Sequence, residues 1–164
     1  MPDSSLSPLP VIVIDVANVL GARGDGWWKD IPGASARLLR LAAELADRGV
    51  PGSLFGGGDE LVPVELVAVL EGRARRARPQ PGASDGEADG TAGPRSRLTT
   101  PHAPGLGDDE IVEQARRLIE GDPSRPVLVA TSDRQLRNRV AELGVGAIGG
   151  GRMRDLLEPA EHGR

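Results

Sequence analysis

The feature that most constrains the fold is an uninterrupted apolar run, Val11 to Ile14, that ends on the acid Asp15. Every residue of the run is β-branched, which favours an extended backbone. A short run with no alternating polar residue is typical of a strand that is buried on both faces, as in a parallel sheet. We therefore predict a strand over 11–16 that carries a carboxylate, that of Asp15, near its C-terminal end.

Strand-like and helix-like segments alternate along the rest of the chain. Apolar runs predict further strands over 64–70, near 97–100, over 126–131 and in VGAIGG. Apolar residues at helical spacing predict helices over 33–48, over 108–120, in DRQLRNRVAELG and, as a last turn, in MRDLLE. Residues 17–32 are predicted to be a glycine-rich loop. This alternation indicates βαβ units, and hence an α/β fold with a parallel sheet and helices on both faces.

Length and local composition predict the domain organisation. With 164 residues the chain is long enough for one domain with its own core. Residues 79–96 are rich in Pro, Gly, Ser, Ala and acid, so they bury too little apolar surface to offset their ordering entropy. We expect a flexible N-terminus over 1–10, one domain over 11–150 with a disordered insertion at 79–96, and a C-terminal tail over 151–164.

The composition excludes several kinds of site. There is no cysteine, which rules out disulfides, thiolate zinc sites and a cysteine nucleophile. The two histidines, His102 and His162, lie in polar segments and argue against a histidine triad. The N-terminus lacks the pattern of a signal peptide and no apolar run approaches a membrane span of about 20 residues. We expect a cytoplasmic protein with no membrane contact, whose chemistry depends on carboxylates, hydroxyls, amides and arginines.

Acids follow the predicted strands at corresponding places. The carboxyl ends of parallel strands meet at one edge of the sheet, so acids distant in sequence should converge there. Two carboxylates about 4 Å apart repel by about 4 kcal/mol at an effective dielectric constant of 20, which a cation relieves. Ligation by oxygen alone favours Mg²⁺ or Mn²⁺. The reaction predicted for such a site is metal-assisted phosphodiester hydrolysis. The acids concerned are Asp15, Glu71, Asp108, Asp109 and Asp133.

Each of these acids also has a purely structural interpretation. Asp108 and Asp109 suit the first turn of a helix, and Asp133 stands where an N-cap residue would. Asp15 could satisfy amide groups of its own loop, and Glu71 could be an exposed acid at a strand end. Taken alone, Asp108 and Asp109 are better explained as acids of a helix N-terminus, and only the shared edge favours ligation by them. Asp133 can serve as cap and as ligand at once.

The segments VIDVANVLG, LEG, GDDEIV and LVATSDRQLRNRV together resemble the PIN-like NYN nuclease domains, in particular the bacterial YacP-type branch. The resemblance implies a three-layer α/β/α sandwich with a central, mostly parallel sheet, Mg²⁺ or Mn²⁺, and ribonuclease activity. It implies metal ligation and catalysis by Asp15, Asp108 and Asp133, with Asp109 and Glu71 as further candidate ligands. The chain departs from the family at Gln135, where many members carry a second acid, so one-metal catalysis and low activity both fit the sequence.

Candidate substrate contacts surround the predicted acidic edge. Arginines beside it could hold an RNA backbone, although a run such as EGRARRAR is more often a solvated face. Trp27 and Trp28 stand out in a chain with 2% aromatic residues, and either stack unpaired bases or lock their loop against the sheet. Thr131 and Ser132 either orient a water or phosphate or cap a helix. The predicted substrate-binding residues are Asn18, Ser132, Arg134, Arg73 and Trp28.

The sequence thus predicts a metal-dependent ribonuclease acting on RNA. Net charge −4 argues against binding by bulk electrostatics and leaves a local basic rim open. The alternatives are a catalytically inert PIN-like module that binds RNA or protein, and a phosphohydrolase acting on small nucleotides. The sequence does not fix the oligomeric state, and a homodimer is compatible with it.

Overall fold

The computed structural model describes residues 9–22, 26–70, 98–100 and 107–158. The predicted insertion at 79–96, together with Glu71 and Arg73, lies outside the described residues. The described part of the chain forms a five-stranded parallel sheet in the order β5-β4-β1-β6-β7 and a two-stranded antiparallel ribbon of β2 and β3. The strands are β1 (Val11–Asp15), β2 (Val50–Pro51), β3 (Leu61–Val62), β4 (Glu65–Val69), β5 (Leu98–Thr99), β6 (Val127–Ala130) and β7 (Gly146–Ile148).

Helices cover both faces of the sheet, so the predicted three-layer α/β/α sandwich is confirmed. One layer contains α1, α2 and α5, and the opposite layer contains α3 and α4. The helices are α1 (Val16–Gly21), α2 (Ile31–Arg48), α3 (Gly107–Gly121), α4 (Arg134–Ala141) and α5 (Gly150–Leu157).

Strand β1 is the centre of the sheet, and its burial explains its sequence. All five of its residues are buried between β4 and β6. Ile12 and Ile14 pack in the core beneath α1, α2 and α5, whereas Val11 and Val13 pack in the core beneath α3 and α4. Because successive side chains of a strand point to opposite faces, only an unbroken apolar run can serve both cores.

Helix α2 forms where the sequence predicts it. The carboxylate of Asp30 accepts a hydrogen bond from the backbone N–H of Gly33 at 3.1 Å, and Pro32 lies in the first turn. The apolar stripe that includes Leu38 and Leu45 is buried. The helix ends at Gly49, whose φ of 92° lies in the region that favours glycine.

The structure differs from the sequence prediction in three places. The predicted loop over 17–32 is wrong in part, because Val16–Gly21 forms α1 directly after β1 and Trp27–Lys29 forms a 3₁₀ turn. Residues 150–157 form a full helix rather than one last turn, with Met153 buried in the core. The ribbon of β2 and β3 was not predicted, since each of its strands has only two residues.

A charged residue, Glu65, lies at the start of the strand predicted over 64–70. It is the first residue of β4, and its carboxylate accepts from Arg125 Nη2 at 2.6 Å. Arg125 also donates through Nε to the carbonyl oxygen of Leu9 at 2.6 Å. These bonds join the amino-terminal ends of β1, β4 and β6 on the side of the sheet away from the acids. The domain boundaries at 10 and 150 stay a prediction.

Within the described ranges, no helix combines the length and the apolar character that a membrane span requires.

Replacing Gly49 with Ala should destabilise the fold. A Cβ at this residue would lie 2.8 Å from the carbonyl oxygen of Val62 and would sit on a backbone with positive φ. We expect a loss of about 1–3 kcal/mol in the free energy of unfolding, measured by urea denaturation. Gly121→Ala is the matched control, because nothing lies within 4 Å of the added Cβ there. Equal stability of the two variants would contradict this account of the α2–β2 junction.

Candidate metal centre at the carboxyl edge of the sheet

The topology of the sheet fixes where a ligand site should lie. From β1 the chain proceeds to β4 and β5 on one side, and then crosses to β6 and β7 on the other. The order therefore reverses between β1 and β6, and crevices in open α/β sheets form beyond the carboxyl ends at such a point. Asp15 ends β1, and the segment Thr131–Asp133 follows β6 at this place.

Asp15 is a buried carboxylate with a defined orientation. Asp15 is only 8% exposed. Oδ1 accepts from the backbone N–H of Asn18 at 3.3 Å, so Asp15 also acts as the N-cap of α1. Oδ2 accepts from the hydroxyl of Thr131 at 3.0 Å. The predicted alternative that Asp15 satisfies local amides is therefore part of the structure, and it leaves a ligand role open.

Thr131 connects the acids of β1 and β6. It is fully buried, and its backbone N–H donates to the carbonyl oxygen of Ile148 at 2.8 Å. Its Oγ1 accepts from the backbone N–H of Asp133 at 3.1 Å. Because an N–H can only donate, the Thr131 hydroxyl must accept there and directs its own proton to Asp15. The direction of every hydrogen bond in this series is thus fixed by chemistry.

Asp133 has the capping role that the sequence offered as an alternative. It is partly buried, and its Oδ1 accepts from the backbone N–H of Leu136 at 3.0 Å at the start of α4. A carboxylate has two oxygens with about four acceptor positions, so capping through Oδ1 is compatible with ligation.

Asn18 and Ser132 join the surrounding loops. Asn18 Oδ1 accepts from the backbone N–H of Ser132 at 2.8 Å, and Ser132 Oγ accepts from the backbone N–H of Gly150 at 2.8 Å. A Cβ at Gly150 would lie 2.8 Å from Asn18 Oδ1, so the approach of α5 to α1 requires a glycine. Sequence reasoning missed Gly150, although the run GGG at 149–151 was the feature that could have indicated it.

The two aspartates that open α3 have different environments. Asp108 is partly buried, whereas the side chain of Asp109 is 66% exposed. Asp109 Oδ1 lies 3.0 Å from Nη2 of Arg139 on α4, an exposed ion pair that joins the two helices of this layer. Since α3 leads into the amino-terminal end of β6, its first turn lies at the carboxyl edge of the sheet. Asp108 is thus the more buried of the two acids that open α3.

The described residues contain no group of three or more His, Cys, Asp or Glu side chains that could hold a metal ion. The predicted close cluster of acids is therefore not seen in this part of the chain, and Glu71 lies outside it. The donors that are present still suit Mg²⁺, because all are oxygen atoms and Mg²⁺ usually keeps several waters while binding one or two carboxylates. Asp15 and Asp133, connected through Thr131, provide such a pair.

Of the predicted substrate-binding residues, Asn18, Ser132 and Arg134 lie in the segments that follow β1 and β6, and Trp28 lies in the 3₁₀ turn before α2. Arg134 and Ser132 are exposed at the start of α4. Trp28 is 54% exposed, and its ring meets that of Trp27 edge to face, with centroids 6.3 Å apart and planes at 86°. Trp27 is partly buried against the core. Trp27 thus packs against the core, and Trp28 presents an aromatic surface to solvent.

Comparison with known proteins identifies the fold. Neither protein-family models nor curated proteins match the sequence. Among solved structures, the chain is similar to Rae1 (YacP) from Bacillus subtilis and to a tryptophan-to-leucine mutant of that protein, each with a TM-score of 0.55 and 15% identity. The matches cover 90% of this chain and 74% and 75% of those chains. The chain therefore has the PIN-like α/β fold of YacP, and the resemblance predicted from its motifs is confirmed at the level of the fold.

Proposed function

We propose that the protein is a metal-dependent ribonuclease that hydrolyses RNA phosphodiester bonds at the carboxyl edge of its sheet. The hydrogen-bonded series of Asp15, Thr131 and Asp133 at the point where the strand order reverses carries this proposal. Burying a carboxylate costs free energy. A buried acid that lies beside a second acid at the ligand crevice is therefore typical of a functional site. The PIN-like fold supports the same conclusion.

Asp15 and Asp133 are the proposed ligands of Mg²⁺ or Mn²⁺. Asp108 begins α3 at the same edge, and the described residues form no group of three acids with it. Asp109 lies 3.0 Å from Arg139 in an exposed ion pair, which argues against Asp109 as a ligand. When bound, the ion would lower the pKa of a water molecule and offset charge on a phosphate oxygen.

The other residues of the edge would orient the reacting groups. Thr131 holds Asp15 in a single orientation through its hydroxyl, and Asn18 holds the Ser132 loop against α1. Arg134 is exposed beside Asp133 and would bind the RNA backbone through its planar guanidinium group. Trp28 would stack on an unpaired base.

One observation favours a second function, a catalytically inert module that binds RNA. Gln135 is exposed on the first turn of α4, where many NYN domains carry another acid, and the described residues do not form a closed group of three ligands. A site with fewer carboxylates binds a divalent ion more weakly. The following experiments separate the two functions.

Asp15→Asn should abolish cleavage. The change removes the charge of the buried proposed ligand and preserves the shape of its side chain. We therefore expect the rate of cleavage of single-stranded RNA in Mn²⁺ to fall at least about 100-fold. The melting temperature should fall by no more than a few degrees. Asp47→Asn, a change at an exposed acid on α2, is the control and should cleave normally. Undiminished cleavage by Asp15→Asn would remove the mechanism.

Mn²⁺ should raise the melting temperature of the protein. A ligand that binds only the folded state adds about 2.7 kcal/mol at 100 times its dissociation constant, and for a chain of this size that is a shift of about 5–10 °C. Asp15→Asn should lose most of the shift. If saturating Mn²⁺ changes neither the melting temperature nor RNA cleavage, the inert binding module becomes the better proposal.

Thr131→Val should weaken metal binding through Asp15. The valine has nearly the same shape but cannot donate to Asp15 or accept from Asp133, so we expect metal affinity to fall about 10–100-fold. Leaving the Asp133 N–H without its acceptor should also cost about 1–3 kcal/mol of stability. Thr131→Ser retains the hydroxyl and should restore both. A valine variant with unchanged Mn²⁺ affinity would show that Thr131 is only a packing residue.

A further inference from the structure

A cleft of about 250 Å³ lies among α1, α2 and α5. Its walls include Leu20 from α1, Trp27 and Asp30 before α2, Arg37 from α2 and Arg154 from α5. Sites for whole drug-sized ligands and cofactors are about 300–1,000 Å³, so this cleft has room for a smaller group. Nothing in the proposed reaction at Asp15 uses it.

Two guanidinium groups form one wall of the cleft. The Arg154 side chain is only 3% exposed, whereas that of Arg37 is 55% exposed. Both meet the carboxylate of Glu158, Arg37 Nη2 at 2.6 Å from Oε1 and Arg154 Nη1 at 3.6 Å from Oε2. Both guanidinium groups are thus held in place by contact with the Glu158 carboxylate. Fixed, planar guanidinium groups are well suited to phosphate oxygens.

Trp27 gives the cleft an aromatic wall. The ring is partly buried against the core and is supported edge to face by Trp28, so its position is fixed. Asp30 also lines the cleft, and its carboxylate accepts from the backbone N–H of Gly33 as the cap of α2. An aromatic ring beside cationic side chains is the arrangement with which proteins bind single-stranded nucleic acid, the ring stacking on a base and the cations holding the backbone.

The cleft and the candidate metal centre are connected by the short helix α1. Asp15 precedes the first residue of this helix, and Leu20 near its end lines the cleft. A helix of six residues is about 9 Å long. Helix α5 makes the same connection, since Gly150 at its start is bonded to Ser132 and Arg154 reaches the cleft. A strand with one phosphate at Asp15 could therefore place a neighbouring nucleotide in the cleft.

We infer that the cleft formed by Trp27, Arg37 and Arg154 binds one nucleotide of a single-stranded RNA, with the base on Trp27 and a phosphate on the arginines. This inference rests on the proposed function for the choice of RNA as ligand. The bound RNA would then run from the acidic edge across α1 towards α2. The inference also assigns specificity for unpaired RNA to a site distinct from the acids.

The test is RNA binding in the Asp15→Asn background, in which cleavage cannot interfere. Affinity for a fluorescent oligouridylate of about ten nucleotides is measured by anisotropy over a range of salt concentrations. Arg37→Ala should weaken binding about 5–30-fold and reduce the salt slope by about one. Arg40→Ala removes an exposed arginine of the same helix that does not line the cleft, and it should change affinity less than about twofold.

A second variant tests the aromatic wall. Trp27→Leu keeps an apolar side chain against the core, and it should weaken binding about 5–100-fold with no change in the salt slope. Circular dichroism melting confirms that each variant is folded. Trp27→Phe retains a ring and should recover most of the affinity.

The outcomes for the cleft and for the nuclease are separable. If the unmodified protein does not cleave RNA but Arg37→Ala and Trp27→Leu lose affinity, the nuclease proposal fails and the cleft assignment stands. If RNA binds and both variants bind it as tightly as Arg40→Ala does, the cleft assignment is overturned whatever the cleavage result. Absence of any RNA binding overturns it as well, and binding of free uridine monophosphate with equal affinity would overturn the assignment to a strand.

Discussion

The architecture of the candidate site depends on the buried hydrogen bond between the hydroxyl of Thr131 and the carboxylate of Asp15, at 3.0 Å. It joins the ends of the two adjacent strands between which the strand order reverses. The hydroxyl also accepts from the backbone of Asp133, so one oxygen atom determines the relative positions of two acids. Asp15 and Asp133 each start a helix as well, which ties the orientation of both carboxylates to the backbone rather than to a flexible loop.

The two helical layers contribute differently to this edge. On one face, α3 and α4 bring Asp108 and Asp133 to it at their first turns, and the ion pair of Asp109 with Arg139 holds these helices together. On the other face, α1 and α5 approach so closely that only glycine fits at 150. The first layer therefore carries acids and the second carries the cleft with its cations. The cations of the cleft are accompanied by the carboxylates of Asp30 and Glu158, so they offer placed guanidinium groups and not a surplus of positive charge.

Much of the fold could be predicted because local and global preferences agree. The strand over 11–15 follows from four β-branched residues in a row, and α2 follows from its Asp30 cap, its apolar stripe and Gly49. Helix α1 could not be predicted, since VANVLG is short, partly β-branched and ends in glycine, and its stability comes from the Asp15 cap and from packing of Val19 and Leu20. The ribbon of β2 and β3 is too short to produce a periodic pattern.

The sequence by itself determined the α/β class, the central strand and the placement of acids after strands, because hydrophobic periodicity and caps are local properties. Only the tertiary structure decided which acids share hydrogen bonds, which one pairs with an arginine, and that Trp27 meets Arg37 and Arg154 around one cleft. Several of these relations join residues far apart in the chain, as in the case of Asp15 and Thr131, which are 116 positions apart. Their contact depends on strand order and helix packing, and no local pattern in the chain encodes either of these.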